Sequence, residues 1–256
     1  MDPILNIAIT AARKAGSIIS RGLDQLDRLE IYEKGDNDFT THIDIAAERT
    51  IIQTIHENYP NHRIIAEESG SLNEHDFTWV IDPLDGTTNF MHGIPHFCVS
   101  IAVLEKNRPR YGVIYDPIRN ETFTVTRGGG AFVNSRRMRV TSHHKISNAL
   151  VATGFPLRNP EKLGGFLKTF EKIAREVRGI RRAGSAALDL AYVAAGRLDG
   201  FWECNLKQWD IAAGALMVQE AGGLVSDFEG GASHLESGNI VAANPKLLKL
   251  ILQTIK

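Results

Sequence analysis

Asp82 and Asp85 lie in the run Trp79-Val80-Ile81-Asp82-Pro83-Leu84-Asp85-Gly86-Thr87-Thr88-Asn89, where an apolar stretch ends on a carboxylate. Two carboxylates at this spacing can share one divalent ion and lend an oxygen to a second. Hard oxygen donors suit Mg²⁺ rather than zinc or copper, and two adjacent ions can clamp a phosphate while activating water. Pro83 stiffens the exit and Gly86 permits close backbone approach. The amides of Gly86, Thr87 and Thr88 would stand unpaired at a helix start, an arrangement that favours phosphate. Taken singly, Asp-Pro and Asp-Gly are ordinary turn dipeptides. Two more acidic sites strengthen the metal reading. Ile64-Ile65-Ala66-Glu67-Glu68-Ser69-Gly70 sets a carboxylate pair after a short strand, and Gln208-Trp209-Asp210-Ile211-Ala212-Ala213-Gly214 sets Asp210 at the start of an apolar helix. Alone, Glu67-Glu68 reads equally as a solvated strand end and Asp210 as an N-cap. Carboxylates that terminate buried elements tend to meet at one rim of an α/β fold, so the combination is the selective signal.

The elements that must position these groups follow from apolar spacing. Ile4, Ala8, Ala11, Ala12, Ala15, Ile18 and Ile19 recur at helical period after Asp2-Pro3, and a second helix is expected from Asp44 to Asn58, stopped by Tyr59-Pro60. The polar stretch 30–41 predicts two short strands around Gly35-Asp36-Asn37. Strands are expected at 63–66, 77–81, 98–104, 111–115 and 121–125, the last two as a hairpin or meander pair. The second half predicts helices over 163–177, 185–195 and 211–221, strands over 198–203, 224–225 and 239–243, and a terminal helix opened by Pro245. This order is α+β and fits a layered α-β-α-β-α sandwich. Residues 1–256 form one catalytic unit in this reading, with closely packed lobes of about 1–145 and 146–256, because no flexible linker separates them.

Glu67-Glu68-Ser69, the run from Asp82 to Asn89, Trp209-Asp210-Ile211-Ala212-Ala213-Gly214 and Glu220-Ala221-Gly222-Gly223 resemble the motifs of the inositol monophosphatase family, in order and in spacing. The likeness spans essentially the whole chain. Asn6-Ile7-Ala8, Asn37-Asp38-Phe39 and the stretch from Gly184 to Arg197 resemble more closely those bacterial members that also serve in ribosomal RNA transcription antitermination. The resemblance implies Mg²⁺-dependent hydrolysis of inositol 1-phosphate or a related polyol monophosphate by metal-activated water. Glu67, Asp82 and the Leu84 carbonyl would hold one core ion, and Asp82, Asp85 and Asp210 a second. A weaker third ion would touch Glu67. Thr87 would stand beside the water, oriented by Asp44, with Glu67 assisting proton removal. The amides of Gly86 and Thr87 would cradle phosphate, while Asp85, Ser185, Ala186 and Glu203 would receive the alcohol. Lys34 matches a family lysine on a mobile early hairpin, and Arg182 falls near the family dimer interface and the partner surface of the antitermination-associated proteins. By spacing alone Asp44 reads as an N-cap, Glu203 as a solvated strand end and Lys34 as a surface lysine.

The remaining sequence narrows the alternatives. A net charge of −1 gives no global attraction to nucleic acid or acidic membrane. Arg136-Arg137-Met138-Arg139 and Arg178-Gly179-Ile180-Arg181-Arg182 are local basic clusters, compatible with RNA or an acidic protein. Transcription factors, RNA polymerase or ribosomal leader RNA are therefore candidate partners, beside a homodimer implied by the resemblance. Cys98 and Cys204 have no CxxC partner, and no Cys-x5-Arg or P-loop motif is present. The histidines make no zinc frame. Without a leader or long apolar segment, a cytoplasmic location is the default expectation. Phosphatase action on fructose bisphosphate or nucleotide phosphates is the nearest alternative, because pocket shape decides the leaving group.

Overall fold

The computed structural model describes residues 2–35, 37–72 and 75–255. Helix α1 (Pro3–Leu23) starts on Asp2, whose carboxylate accepts the Ile4 amide at 2.9 Å, with Pro3 pre-set for the first turn. Strands β1 (Ile31–Gly35) and β2 (Asp38–Thr41) pair antiparallel, as the polar stretch predicts; its Asp36 lies outside the described residues. Helix α2 (His42–Asn58) follows directly, then β3 (Arg63–Ala66), β4 (Gly70–Leu72), β5 (Phe77–Asp85) and the short helix α3 (Thr87–Met91). A meander comes next: β6 (Cys98–Glu105), β7 (Arg108–Asp116), β8 (Glu121–Thr126), β9 (Gly130–Val133) and β10 (Arg136–Arg137). Beyond it lie β11 (Leu150–Thr153), α4 (Pro160–Glu176), β12 (Gly179–Arg181), α5 (Ala186–Ala194) and β13 (Gly200–Glu203). Helix α6 (Gln208–Glu220), β14 (Leu224–Ser226), α7 (His234–Ser237), β15 (Ile240–Ala243) and α8 (Pro245–Ile255) complete the chain.

Five layers result. Helices α1 and α2 bury Leu5, Ala8, Ala15, Ile19, Ile51 and Ile55 against one face of an eight-stranded sheet ordered β10-β9-β8-β7-β6-β5-β3-β4. Helices α5 and α6 lie between that sheet and a five-stranded one ordered β12-β11-β13-β15-β14. Helices α4 and α8 cover its far face around Trp202, Phe166 and Ile251. The expected α-β-α-β-α sandwich is the observed architecture. Helix α6 is apolar around its whole circumference because both sides are covered, with Ile211 to Val218 all buried. Among the described residues no helix is long and apolar enough to cross a membrane.

The departures from sequence expectation have local causes. Strands β4, β9, β10, β11 and β12 are two to four residues long and too short for an alternating pattern to register. They exist through pairing, as where Leu150, Val151 and Ala152 run parallel to Gly179, Ile180 and Arg181. Neither Asp44 nor Asp210 is an N-cap. Thr41 and Lys207 hold that position, and each aspartate sits at the third helical residue, reaching back to the cap amide at 2.9 Å and 2.7 Å.

Two glycines set how closely α6 is packed. A Cβ on Gly214 would fall 2.5 Å from the Leu190 Cβ of α5, and one on Gly112 of β7 would fall 3.2 Å from the Ala213 Cα. Gly214→Val should therefore lower the urea midpoint by about 1–3 kcal/mol of stability through overpacking. Equilibrium unfolding followed by circular dichroism checks this; an unchanged midpoint would contradict the close approach of α5 and α6.

Candidate metal centre and active site

Strand β5 delivers the acidic pair. Its register against β6 runs unbroken from Phe77 to Asp82, opposite Ser100, then slips before Asp85 meets Cys98. Pro83 has no amide to give the ladder, so the slip falls at the residue that cannot pair there. The Asp82 carboxylate turns back to accept the Leu84 amide at 3.0 Å and is only 2% exposed. Strand β3 runs parallel beside β5 with Ala66 opposite Ile81, and the Glu67 amide donates to the Ile81 carbonyl at 3.2 Å. Glu67 thus emerges one strand spacing from Asp82, about 4.8 Å away between backbones. Asp210 arrives from above the sheet. The Ser100 hydroxyl, opposite Asp82 in the ladder, donates to the Trp209 carbonyl at 3.2 Å and fixes the first turn of α6 there.

These carboxylates repel one another in a poorly solvated place. Burial pushes Asp82 well above the usual carboxylate range, and the charges of Glu67, Asp85 and Asp210 push it further. Asp210 is raised to about 8, chiefly by burial and then by Asp85. Asp85 is raised to about 6 by burial, held down by the Ser185 hydroxyl and backbone amides. Lys34 of the early hairpin supplies a cation: its Nζ lies 3.1 Å from Glu67 Oε1 and 2.8 Å from Glu68 Oε1. Burial pulls the Lys34 pKa down, but the two glutamates outweigh it and leave it raised.

The Thr87 hydroxyl stands 3.0 Å from both Asp44 Oδ1 and the Leu84 carbonyl and donates to one at a time. Asp44 is 1% exposed and raised to about 7 by burial. Gly86 (φ +102) closes the turn between β5 and α3, and a Cβ there would come 3.0 Å from the His96 carbonyl. The amides of Gly86, Thr87 and Thr88 precede the first bond of α3, from the Phe90 amide to the Gly86 carbonyl. On the other side, Asp85 Oδ2 accepts the Ser185 hydroxyl at 2.6 Å and the Ala187 amide at 2.7 Å. Ala186 lies buried between them. Glu203 ends β13, its carboxylate so close over Gly154 that a Cβ there would meet it at 2.0 Å. Arg182 is exposed, with its Nη1 2.8 Å from where a Gly184 Cβ would stand.

Sequence reasoning passed over three contributors. Glu48, 3% exposed, accepts the Glu68 amide at 2.8 Å and holds the Glu67-Glu68 corner. Its signal was available: it lies one helical turn from Asp44 on the same face of α2. The Ala187 amide carries no side-chain signal. Asp189, 2% exposed inside an apolar helix, reads by sequence as a break in the pattern and no more. Glu220, quoted for the family likeness, clamps the Gly128 and Gly130 amides at 2.7 Å and 3.0 Å and serves the β8–β9 turn.

A profile of the inositol monophosphatase family matches residues 1–256. The chain belongs to that family. The protein named Nus factor SuhB in Pseudomonas aeruginosa is 52% identical, with 100% of this chain and 97% of that protein covered. The solved extragenic suppressor protein suhB of Bartonella henselae is 43% identical with a TM-score of 0.97, covering 100% and 99% of the two chains. A Thermotoga maritima IMPase superposes with a TM-score of 0.91 at 35% identity, covering 99% and 97%. Family membership makes the chain a phosphatase of a metal-dependent kind.

The residues fit a metal. Among the described residues no group of three or more Asp, Glu, His or Cys side chains stands placed to hold a metal ion. The donors are nevertheless all hard oxygens, and the upward push that burial and neighbouring acidic charge exert on Asp82, Asp85 and Asp210 is what a dication relieves. A pH dependence follows for protein stripped of metal. Carboxyls whose folded pKa exceeds the unfolded value stabilise the fold fully below about pH 4, and this stability is lost as pH rises through about 6 to 8. In EDTA, the urea midpoint should fall between pH 5 and 8.5, and Asp210→Asn should flatten the fall. A midpoint that rises across this range would contradict the electrostatics.

Proposed function

We propose that the chain hydrolyses inositol 1-phosphate, or a closely related polyol monophosphate, to free alcohol and inorganic phosphate. The observation that carries this reading is the Thr87–Asp44 hydrogen bond, made across 43 residues beside the acidic end of β5. It orients a hydroxyl next to the carboxylates and to amides able to receive a phosphoryl group. Glu67, Asp82, the Leu84 carbonyl, Asp85 and Asp210 would hold two Mg²⁺ ions, with a weaker third near Glu67. Bound there, Mg²⁺ supplies positive charge for the phosphoryl oxygens and acidifies water. Thr87 holds the attacking water through its hydroxyl oxygen, with Asp44 Oδ1 accepting the hydroxyl proton, and Glu67 assists in taking a proton from that water. The Gly86 and Thr87 amides bind phosphoryl oxygens. Asp85, Ser185, the Ala186 segment and Glu203 receive the alcohol, and their acceptor-rich character suits vicinal hydroxyls.

Phosphate release from inositol 1-phosphate, glycerol phosphates, fructose bisphosphate and adenosine bisphosphates across a Mg²⁺ range tests this. Inositol 1-phosphate should give the highest kcat/KM, and a preference for fructose or nucleotide phosphates would overturn the substrate assignment. Asp82→Asn and Asp210→Asn should each lose at least about 100-fold in turnover while remaining folded by circular dichroism. Full turnover in either folded variant would contradict the metal assignment. Thr87→Ala should lose about 100-fold in single-turnover rate with little change in substrate affinity, because the backbone amides survive. Loss of affinity with an unchanged chemical step would contradict the role given to its hydroxyl.

A second reading rests on the relatives named Nus factor. The chain would also act in the cytoplasm as a homodimeric antitermination factor, through a surface separate from the metal centre. Its candidate partners are transcription factors, RNA polymerase or ribosomal leader RNA, and Arg182 would lie on the partner or dimer surface. Arg182→Ala should weaken partner binding or shift the sedimentation profile toward monomer. Unchanged assembly and unchanged partner binding would reject that placement.

A further inference from the structure

Asp189 is a carboxylate with no visible structural duty. It is 2% exposed in α5, a helix otherwise built of buried Ala, Leu and Val around a partly exposed Tyr192. Neither carboxylate oxygen has a hydrogen-bond partner among the described residues, and neither is sealed from solvent as Thr40 Oγ1 and Trp202 Nε1 are. A carboxylate so enclosed is costly unless something polar meets it, and among the described residues no group hydrogen-bonds it, although the Arg182 charge is felt there.

Its position says what could. Ser185, whose hydroxyl binds Asp85, caps α5, and Asp189 lies four residues on, one turn along the same helix face. Helix α5 packs on β13, which ends at Glu203. Burial raises Asp189 well above the usual carboxylate range, Asp85 raises it further, and Arg182 opposes the rise. Glu203 in turn is raised by burial first and by Asp189 next. Asp189 therefore shares the Ser185 face of α5, on the side where Asp85 and Glu203 feel its charge.

We propose that Asp189 is a specificity-determining residue of the alcohol pocket. Its carboxylate accepts a hydrogen bond from a hydroxyl of the leaving polyol remote from the ester oxygen, beside the hydroxyl taken by Glu203. This rests on the polyol phosphatase reading above. The pocket consequently discriminates by the number of hydroxyl donors on the alcohol, and a phosphate ester without them gains nothing from Asp189.

The test compares inositol 1-phosphate with p-nitrophenyl phosphate for the wild type, Asp189→Asn and Asp189→Ala, with KM and kcat measured separately. Asp189→Ala should raise KM for inositol 1-phosphate about 3- to 10-fold, as expected for the loss of one hydrogen bond in a buried site. Its kcat/KM for p-nitrophenyl phosphate should stay within about twofold of wild type. Asp189→Asn, which preserves volume and one acceptor, should fall between them, and it decides the matter alone if the alanine variant does not fold. Equal losses on both substrates would show a structural role and overturn the proposal, as would wild-type discrimination in a folded variant. Wild-type enzyme that cleaves p-nitrophenyl phosphate but not inositol 1-phosphate would overturn the polyol reading itself, a failure recognisable before any variant is made.

Discussion

Like-charge repulsion at the exit of β5 is the constraint on which the rest of the architecture depends. Asp82, Asp85, Glu67 and Asp210 are brought together by a parallel strand pair, a slipped antiparallel register and a helix laid across the sheet. Each is raised by burial, and the three aspartates are also raised by charges within the set. A fold that tolerates this must hold the donors rigidly and leave room for positive charge. Both conditions are met: the donors come from the ends of core elements, and Lys34 reaches Glu67 and Glu68 from a hairpin outside the core.

The rigid holding uses the same trick twice. Asp44 and Asp210 each sit at the third position of a helix and return one oxygen to the amide of the capping residue. For Asp44 the other oxygen takes the Thr87 hydroxyl. A helix start is thereby anchored by a group that also serves the site, so helix capping and site geometry are coupled. Asp85 is held differently, by Ser185 and Ala187 at the opening of α5. The two inner helices α5 and α6 therefore begin at the acidic cluster and run away from it through the middle of the molecule.

Much of this was legible in the sequence. The run from Trp79 to Asn89 announced a strand ending on carboxylates, and the observed β5 carries both aspartates to its last residue. The longer helices and strands followed from period, and the family motifs added their order. What escaped was what only three-dimensional pairing creates. Strands β11 and β12 are short runs stabilised by parallel neighbours. Reading Asp44 and Asp210 as N-caps misplaced them by three residues, because Thr41 and Lys207 take that position. The role of Glu48 appears only once Glu68 has been folded back upon it, and the isolation of Asp189 only once α5 is enclosed.

The central claim is that burial and neighbouring acidic charge keep the acidic centre partly protonated at neutral pH until a dication arrives. Calorimetric titration of Mg²⁺ into EDTA-stripped protein at pH 7, in two buffers of different ionisation enthalpy, measures it directly. With Asp44, Asp85 and Asp210 raised to about 7, 6 and 8, Mg²⁺ binding should expel protons, and the apparent enthalpy should differ between the buffers. Saturable binding with no difference between buffers would contradict the account.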